Sequence, residues 1–231
     1  MSDDVLVEAK LLASSAQQKA EVTCNQLPRF RYEIVKRGMD LLLVAVSLPF
    51  CVPLGALLAL VVRCSSPGPI FYREYRLGQY GKPFCIWKFR SMYGKEEWPQ
   101  RIQQAKHIGI EHNRLNKHPS DPRITPIGKI LRRWSLDEVP QLINVLRGEM
   151  ALIGPRPIVD AERKLYGQGF HYYCMVRPGL SGLWQVSGRS RVSYEKRVQM
   201  DCQYVRDWSL AMDLAILVKT FHAVVTAHGA C

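Results

Sequence analysis

The 22 residues Leu41–Val62, LLLVAVSLPFCVPLGALLALVV, carry no charge, and their reading decides the fold. As a helix such a run extends about 33 Å at about 1.5 Å per residue, enough to reach across the hydrocarbon core of a bilayer. Pro49 and Pro53 interrupt it near the middle. Each removes a backbone donor and pushes the preceding residue out of helical conformation, so a bend is expected there. Arg29, Arg31, Lys36 and Arg37 precede the run, and Arg63, Arg73 and Arg76 follow it. By the positive-inside tendency, both ends then face the cytoplasm. A helix that enters one leaflet, breaks at Pro53 and returns satisfies both observations. The alternatives are a core helix of a soluble protein, with Gly55 and the alanines at tight contacts, and a straight bitopic span. The expected fold class is α+β: a re-entrant membrane helix hairpin with a mainly helical cytoplasmic domain, a small β-hairpin and surface amphipathic helices. Residues 1–30 form an N-terminal extension, helical or disordered, residues 31–64 the membrane helix with its basic flanks, and residues 65–231 the cytoplasmic domain.

Composition agrees with a folded chain. With 47% hydrophobic and 23% charged residues in 231, wholesale disorder is excluded. Net charge is +12, and the 15 basic and 5 acidic residues between Arg63 and Arg133 place +10 of it in under a third of the chain. Such a stretch suits an anionic partner: nucleic acid, an acidic membrane surface or a phosphorylated substrate. Nucleic acid would account for the isoelectric point near 9.5 but has no use for the uncharged run, so no nucleic-acid partner is expected. A membrane-anchored scaffold without chemistry would account for both. Seven cysteines with no CxxC pair argue against a disulfide framework or a zinc site, and His107, His112 and His118 have no helix-face spacing to any cysteine. The first 26 residues lack a basic segment followed by an apolar core and do not read as a signal peptide.

After the dense turn Ser65-Ser66-Pro67-Gly68-Pro69, Ile70–Tyr72 and Phe84–Arg90 read as the arms of a β-hairpin, with Lys88 and Arg90 on one face by the two-residue strand period. Residues Glu96 to His118 read as a polar helix, and Ile127–Trp134 as a short amphipathic helix with basic residues outward. The most informative segment is Ser135–Gly148, SLDEVPQLINVLRG. Leu142, Val145 and Leu146 keep helical spacing, with Gly148 as the natural terminator. At its start, Ser135 and Glu138 fit a capping box, Asp137 favours the positive helix end, and Pro140 is tolerated in the first turn. The other reading is a carboxylate pair preceded by Arg132 and Arg133, a phosphate site with a nucleophile in it. Neighbouring helical residues point about 100° apart, so Asp137 and Glu138 would then have different tasks. Arg156 sits between Pro155 and Pro157, and Arg177 and Arg189 lie among glycines that allow close backbone approach. Arginine's fork of donors suits phosphate.

These pieces in this order resemble the bacterial sugar transferases, monotopic phosphoglycosyl transferases that move a sugar 1-phosphate from a nucleotide sugar to polyprenyl phosphate. The resemblance runs from about Ile34 to the C-terminus. It rests on Lys36-Arg37 with Asp40, Ser66–Pro69, Lys88-Phe89-Arg90-Ser91-Met92, Asp121–Thr125, Leu131-Arg132-Arg133 through Gln141, Gly154-Pro155-Arg156-Pro157 and Arg177–Arg189. It implies that residues 65–231 are a phosphoglycosyl transferase domain in which Asp137 is the nucleophile and Glu138 completes the dyad. The reaction implied is ping-pong: Asp137 attacks the β-phosphorus of a UDP-sugar, UMP leaves, and undecaprenyl phosphate takes the phosphosugar from the aspartyl intermediate. Lys88, Arg90, Arg132, Arg156, Arg177 and Arg189 would bind substrate phosphates, and Mg²⁺ would be held by Asp137 and Glu138. Pro53 falls where the family breaks its membrane helix; the residue before it, often Ser there, is Val52 here. The small catalytic form is expected, on the cytoplasmic face of a bacterial inner membrane with both termini cytoplasmic. Its products would start lipid-linked glycan assembly in exopolysaccharide, capsule or O-antigen synthesis. Membrane lipid is a further partner, and a homodimer is allowed. The stretch from Tyr204 to Ala230 is most similar to transferases of galactose 1-phosphate, with glucose or an N-acetylated sugar as alternatives. Leu210–Val225 reads as an amphipathic helix lying on the membrane.

Overall fold

The computed structural model describes residues 30–107, 121–188 and 192–226. The described residues fall into two units that divide between Gly38 and Met39. The fold is α+β: helices dominate, with two small two-stranded sheets. The apolar run lies in helix α1, Phe30–Ser65, which is assigned as one helix through both Pro49 and Pro53. Its segment Glu33–Ser65 is long and apolar enough to cross a membrane, with a mean hydropathy of 2.4 and little of it buried. Leu42, Val46 and Phe50, four residues apart, form an exposed apolar stripe, while Val44 and Val62 are fully buried.

Both halves of α1 beyond residue 39 pack within the second unit. Val44 joins Phe84, Ile86, Val145 and Met150 in one core cluster, and Asp40, itself buried, accepts the Leu152 backbone N–H at 3.2 Å. Leu58 and Val62 join Phe89 and Leu131 in a second cluster, with Leu136 and Val139 packed against it.

The expected hairpin is present as antiparallel strands β1, Phe71–Leu77, and β2, Pro83–Phe89, paired from Phe71 opposite Phe89 to Leu77 opposite Pro83. Helix α2, Trp98–His107, covers the first part of the polar helix expected from Glu96. The remainder lies outside the described residues. Helix α3, Pro126–Arg133, begins at Thr125, whose hydroxyl accepts the Gly128 N–H at 2.9 Å, and has Pro126 in its first turn. A Cβ on Gly128 would collide with the Ser91 carbonyl, so this glycine lets α3 lie against the chain leaving β2.

The segment carrying Asp137 and Glu138 departs from the capped-helix reading. Leu136–Gln141 is a 3₁₀ turn, and the α-helix that follows, α4, Leu142–Arg147, starts only after Pro140. Ser135 adopts φ 55°, in the left-handed region, and its side chain makes no capping bond. A capping Ser needs an extended backbone, so the capping box does not form. Gly148 ends α4 with φ 79°, as its position indicated.

A second, parallel sheet pairs β3, Ala151–Ile153, with β4, Gly179–Ser181. A Cβ on Gly179 would overlap the Gly154 nitrogen, and one on Gly182 the Gly154 carbonyl oxygen, so these glycines bring the two Arg-bearing loops backbone to backbone. Short helices α5, Arg163–Tyr166, α6, Gly169–Cys174, and α7, Leu183–Val186, precede α8, Tyr194–Asp207, and α9, Leu210–Val225. On α9, Leu210, Leu214, Val218 and Phe221 form an exposed apolar stripe of helical spacing.

Candidate active site

Strand β2 and the 3₁₀ turn meet at an ion pair. Lys88, one residue from the end of β2, places Nζ 2.6 Å from Glu138 Oε1, and Arg156 Nη1 lies 4.0 Å from the same oxygen. Asp137, beside Glu138, is buried, with 8% of its surface exposed. Fully buried Asn144 of α4 locks β2 in place: its amide donates to the Cys85 carbonyl at 2.7 Å and to Glu149 at 2.6 Å, and its oxygen accepts the Trp87 N–H at 3.2 Å.

Glu138 opens into a pocket whose lining also includes Arg76, Lys88, Gln141, Arg156 and Gln185. Two of these cations, Lys88 from β2 and Arg156 from the loop after β3, therefore converge on the Glu138 carboxylate, and Arg76 of β1 lines the same pocket. Arg132 of α3 is anchored by its Nε, which donates to Ser91 Oγ at 2.9 Å. Burial depresses its guanidinium pKa, against the pull of Asp137, Asp121 and Glu138, which favour its charge. The field of Arg132 thus reaches both acids.

Not every expected cation joins this group. Arg90 continues the pairing of β2, its N–H bonding the Ile70 carbonyl at 2.8 Å, but its guanidinium goes to other partners than the dyad. It is buried, and its Nη2 donates to the carbonyls of Val62, at 3.2 Å, and Ser66, at 2.6 Å, and to Ser66 Oγ at 2.9 Å. Arg177 brings its carbonyl against Gly154, and its side chain is not among the pocket's lining. Arg189 lies outside the described residues.

Sequence reasoning missed Arg76, Gln141 and Gln185. Arg76 was detectable in principle, because the hairpin register puts it opposite Phe84 on the face that bears Lys88. It pairs with Glu74 and donates to the Pro157 carbonyl at 3.2 Å, tying β1 to the Arg156 loop.

The donor set suits a hard cation. No group of three His, Cys, Asp or Glu exists among the described residues, so a protein-only transition-metal cage is absent there. Two adjacent carboxylates can instead give Mg²⁺ one or two oxygens and leave the rest of its sphere to substrate phosphates and water. The five described cysteines are all free thiols.

Carboxylates, lysine and arginines around a buried aspartate form a site for phosphoryl chemistry. The sequence profile described as bacterial sugar transferase matches residues 31–227. The chain belongs to this family. It is 43% identical over 198 residues to the exopolysaccharide production protein ExoY of Rhizobium meliloti (strain 1021), covering 85% of this chain and 88% of that one. It is 41% identical over 208 residues to the undecaprenyl-phosphate galactose phosphotransferase of Salmonella typhimurium, covering 89% of this chain and 44% of the longer relative. Against the UDP-glucose:undecaprenyl-phosphate glucose-1-phosphate transferase of Escherichia coli (strain K12), identity is 38% over 195 residues, 81% of this chain and 39% of that one. Membership in the bacterial sugar transferases makes the chain an enzyme of the transferase class, and with the apolar helix it points to membrane association.

Proposed function

We propose that the protein transfers a hexose 1-phosphate from a UDP-sugar to undecaprenyl phosphate, in two steps through an aspartyl intermediate. In the first step an Asp137 carboxylate oxygen bonds to the β-phosphorus as the bond from that phosphorus to the bridging oxygen breaks, and UMP departs with the electron pair. In the second, a phosphate oxygen of undecaprenyl phosphate bonds to the same phosphorus and Asp137 leaves as the carboxylate. Splitting the transfer lets two bulky anions use one site in turn. Lys88 and Arg156 orient Glu138 and, with Arg76 and Arg132, supply positive potential where the diphosphate would lie. A bound Mg²⁺ would neutralise diphosphate charge, held by Asp137 and Glu138.

The observation that carries this reading is the Lys88–Glu138 pair at 2.6 Å beside buried Asp137, on the wall of a cation-lined pocket. Mass spectrometry of acid-quenched enzyme incubated with UDP-sugar alone tests it. A protein heavier by one phosphosugar is expected, absent in Asp137→Asn. Robust turnover without that adduct would mean direct transfer in a ternary complex. Both galactose and glucose transferases are similar to this chain, and we favour galactose, to be decided by UMP release from a panel of UDP-sugars.

The re-entrant topology belongs to the same proposal. Pro49 and Pro53 leave the carbonyls of Ala45 and Pro49 without helical donors, a weakness at which the helix would turn inside one leaflet. Asp40 and Val62, near the two ends of the uncharged run, each bond to residues of residues 65–231, which supports both ends lying on one side of the bilayer. That side would be the cytoplasmic face of the inner membrane. Cysteine labelling from each face tests it, with labelling of a Ser2 probe from the periplasm excluding the hairpin.

A further inference from the structure

We infer that Arg90 is a positioning residue for the membrane-borne acceptor: it fixes the end of α1 relative to the Asp137–Glu138 dyad and so sets where polyprenyl phosphate meets the site. The inference rests on the two-substrate transfer proposed above.

Arg90 is 7% exposed and directs one nitrogen, Nη2, to three oxygens of a single turn: the Val62 carbonyl, near the end of α1, and the carbonyl and hydroxyl of Ser66. Its backbone N–H adds a bond to the Ile70 carbonyl at 2.8 Å, so both sides of Ser66–Ile70 are tied to one residue. Gly68 sits at φ +116°, and a Cβ there would stand 2.5 Å from Arg90 Nη1. Glycine at this position serves both the backbone conformation and the approach of the guanidinium. A helix C-terminus leaves carbonyls without intrahelical donors, and a buried cation satisfies them with charge-assisted bonds.

The same short stretch of chain reaches the chemistry. Lys88, two residues earlier and about 7 Å away along a strand, holds Glu138. Phe89, between them, packs with Leu58 and Val62 of α1 and with Leu131, in the cluster that also contacts Leu136 and Val139 of the 3₁₀ turn. Ser91, the next residue, accepts from Arg132. Four consecutive residues thus link the membrane helix, the core and the dyad. The nucleotide sugar arrives from water and adjusts its own height. A polyprenyl phosphate is held by the bilayer, so its phosphate reaches Asp137 only if the dyad stands at the right depth relative to α1. Loosening Arg90 should therefore impair the acceptor far more than the donor.

Full-length protein in nanodiscs, assayed with undecaprenyl phosphate and with whichever of UDP-galactose or UDP-glucose the wild type turns over, reads the two dependences separately. For Arg90→Gln, kcat/KM for undecaprenyl phosphate is expected to fall at least tenfold while kcat/KM for the UDP-sugar stays within twofold. Arg90→Lys, which keeps the charge without the fork, should recover part of the acceptor loss. Ser66→Ala removes only the hydroxyl acceptor and should give the same split in smaller measure, about threefold, so the test survives misfolding of an Arg90 variant. Equal losses for both substrates would assign Arg90 to general stability and overturn the inference, as would an unchanged acceptor dependence. These ratios do not require an intermediate, so the absence of the phosphosugar adduct would overturn the two-step mechanism alone.

Discussion

The Tyr166 hydroxyl donates to the Asp201 carboxylate at 2.6 Å, joining α5 to α8 inside a cluster where Tyr166 meets the rings of Tyr173 and Tyr194 edge-on. Tyr173 in turn donates to the Leu77 carbonyl and accepts the Ile158 N–H at 3.3 Å, one residue beyond the Arg156–Pro157 loop. Burial raises the Asp201 pKa to about 7, against the opposing effects of the Tyr166 hydrogen bond and the Arg156 charge. The folded state therefore binds a proton that the unfolded chain releases above about pH 4. Stability should fall as pH rises from about 4 to 7 and level off above that. Asp201→Asn keeps the acceptor for Tyr166 and removes the titration. Thermal unfolding of this variant should match wild type near pH 4 and exceed it near pH 8. A variant less stable than wild type at pH 8 would mean that the ionised carboxylate stabilises the cluster.

Two glycines should respond oppositely to the same substitution. A Cβ on Gly179 meets the Gly154 nitrogen, backbone against backbone, whereas one on Gly55 in α1 meets nothing within 4 Å. Gly179→Ala should lower stability by about 3 kcal/mol, since neither strand can yield without breaking the β3–β4 pair. Gly55→Ala should raise it by less than about 1 kcal/mol through helix propensity. Unfolding curves of the detergent-solubilised variants give both values.

Why some of this was legible in the sequence and some was not follows from the range of each signal. Gly148 ends α4 because a left-handed residue after a helix is a local requirement that only one position met. The hairpin followed from alternation flanked by turn residues, and α1 from length without charge. The acids at 137 and 138 fitted a capping box equally well, and what decided against it was tertiary: Ser135 takes a left-handed backbone, and Glu138 reaches Lys88, fifty residues earlier in the chain. Arg90 has the strand parity of Lys88, but its guanidinium bonds the Val62 and Ser66 carbonyls, a tertiary contact that no local pattern announces. The parallel pair β3–β4 spans three residues on each strand and rests on glycine contacts between distant loops, leaving no periodicity to read. Asn144, whose buried amide joins α4 to β2, bonds partners more than fifty residues earlier in the chain, and no local pattern carries that contact.

Removing the cation that holds Glu138 should affect turnover without unfolding the chain. Lys88 sits at the edge of the pocket, and its partner oxygen also lies 4.0 Å from Arg156, so Glu138 keeps a cation when Lys88 is lost. Lys88→Met keeps an aliphatic stem of similar length and removes the charge. The expected result is a fall in kcat/KM for the UDP-sugar of roughly a hundredfold, the scale for loss of one preorganised electrostatic group. Circular dichroism and melting temperature should stay near wild type. An unchanged kcat/KM would show that the Lys88–Glu138 pair is structural.

Metal dependence follows from the charge gathered around Asp137. A UDP-sugar brings about two negative charges, and the Asp137 carboxylate has to approach phosphorus against them. Arg76, Lys88 and Arg156 line the pocket, yet Lys88 and Arg156 already share one Glu138 oxygen, and Arg76 is paired with Glu74. Cations engaged in this way leave diphosphate charge for an ion to neutralise, and two carboxylates offer that ion the oxygen ligands Mg²⁺ prefers. EDTA should therefore reduce UMP release at least about a hundredfold, and Mg²⁺ should restore it. Zn²⁺ should restore it poorly, because no cluster of three His, Cys, Asp or Glu occurs among the described residues to provide nitrogen or sulfur. Arg156→Lys should weaken UDP-sugar use even with saturating Mg²⁺, since a point charge replaces a two-pronged donor. Isothermal titration of Mg²⁺ into enzyme with and without UDP separates the contributions: binding tightened by UDP is expected, because the diphosphate completes the ion's oxygen shell. Full UMP release in EDTA would assign the neutralisation to the basic loops alone and leave Asp137 and Glu138 without a metal role.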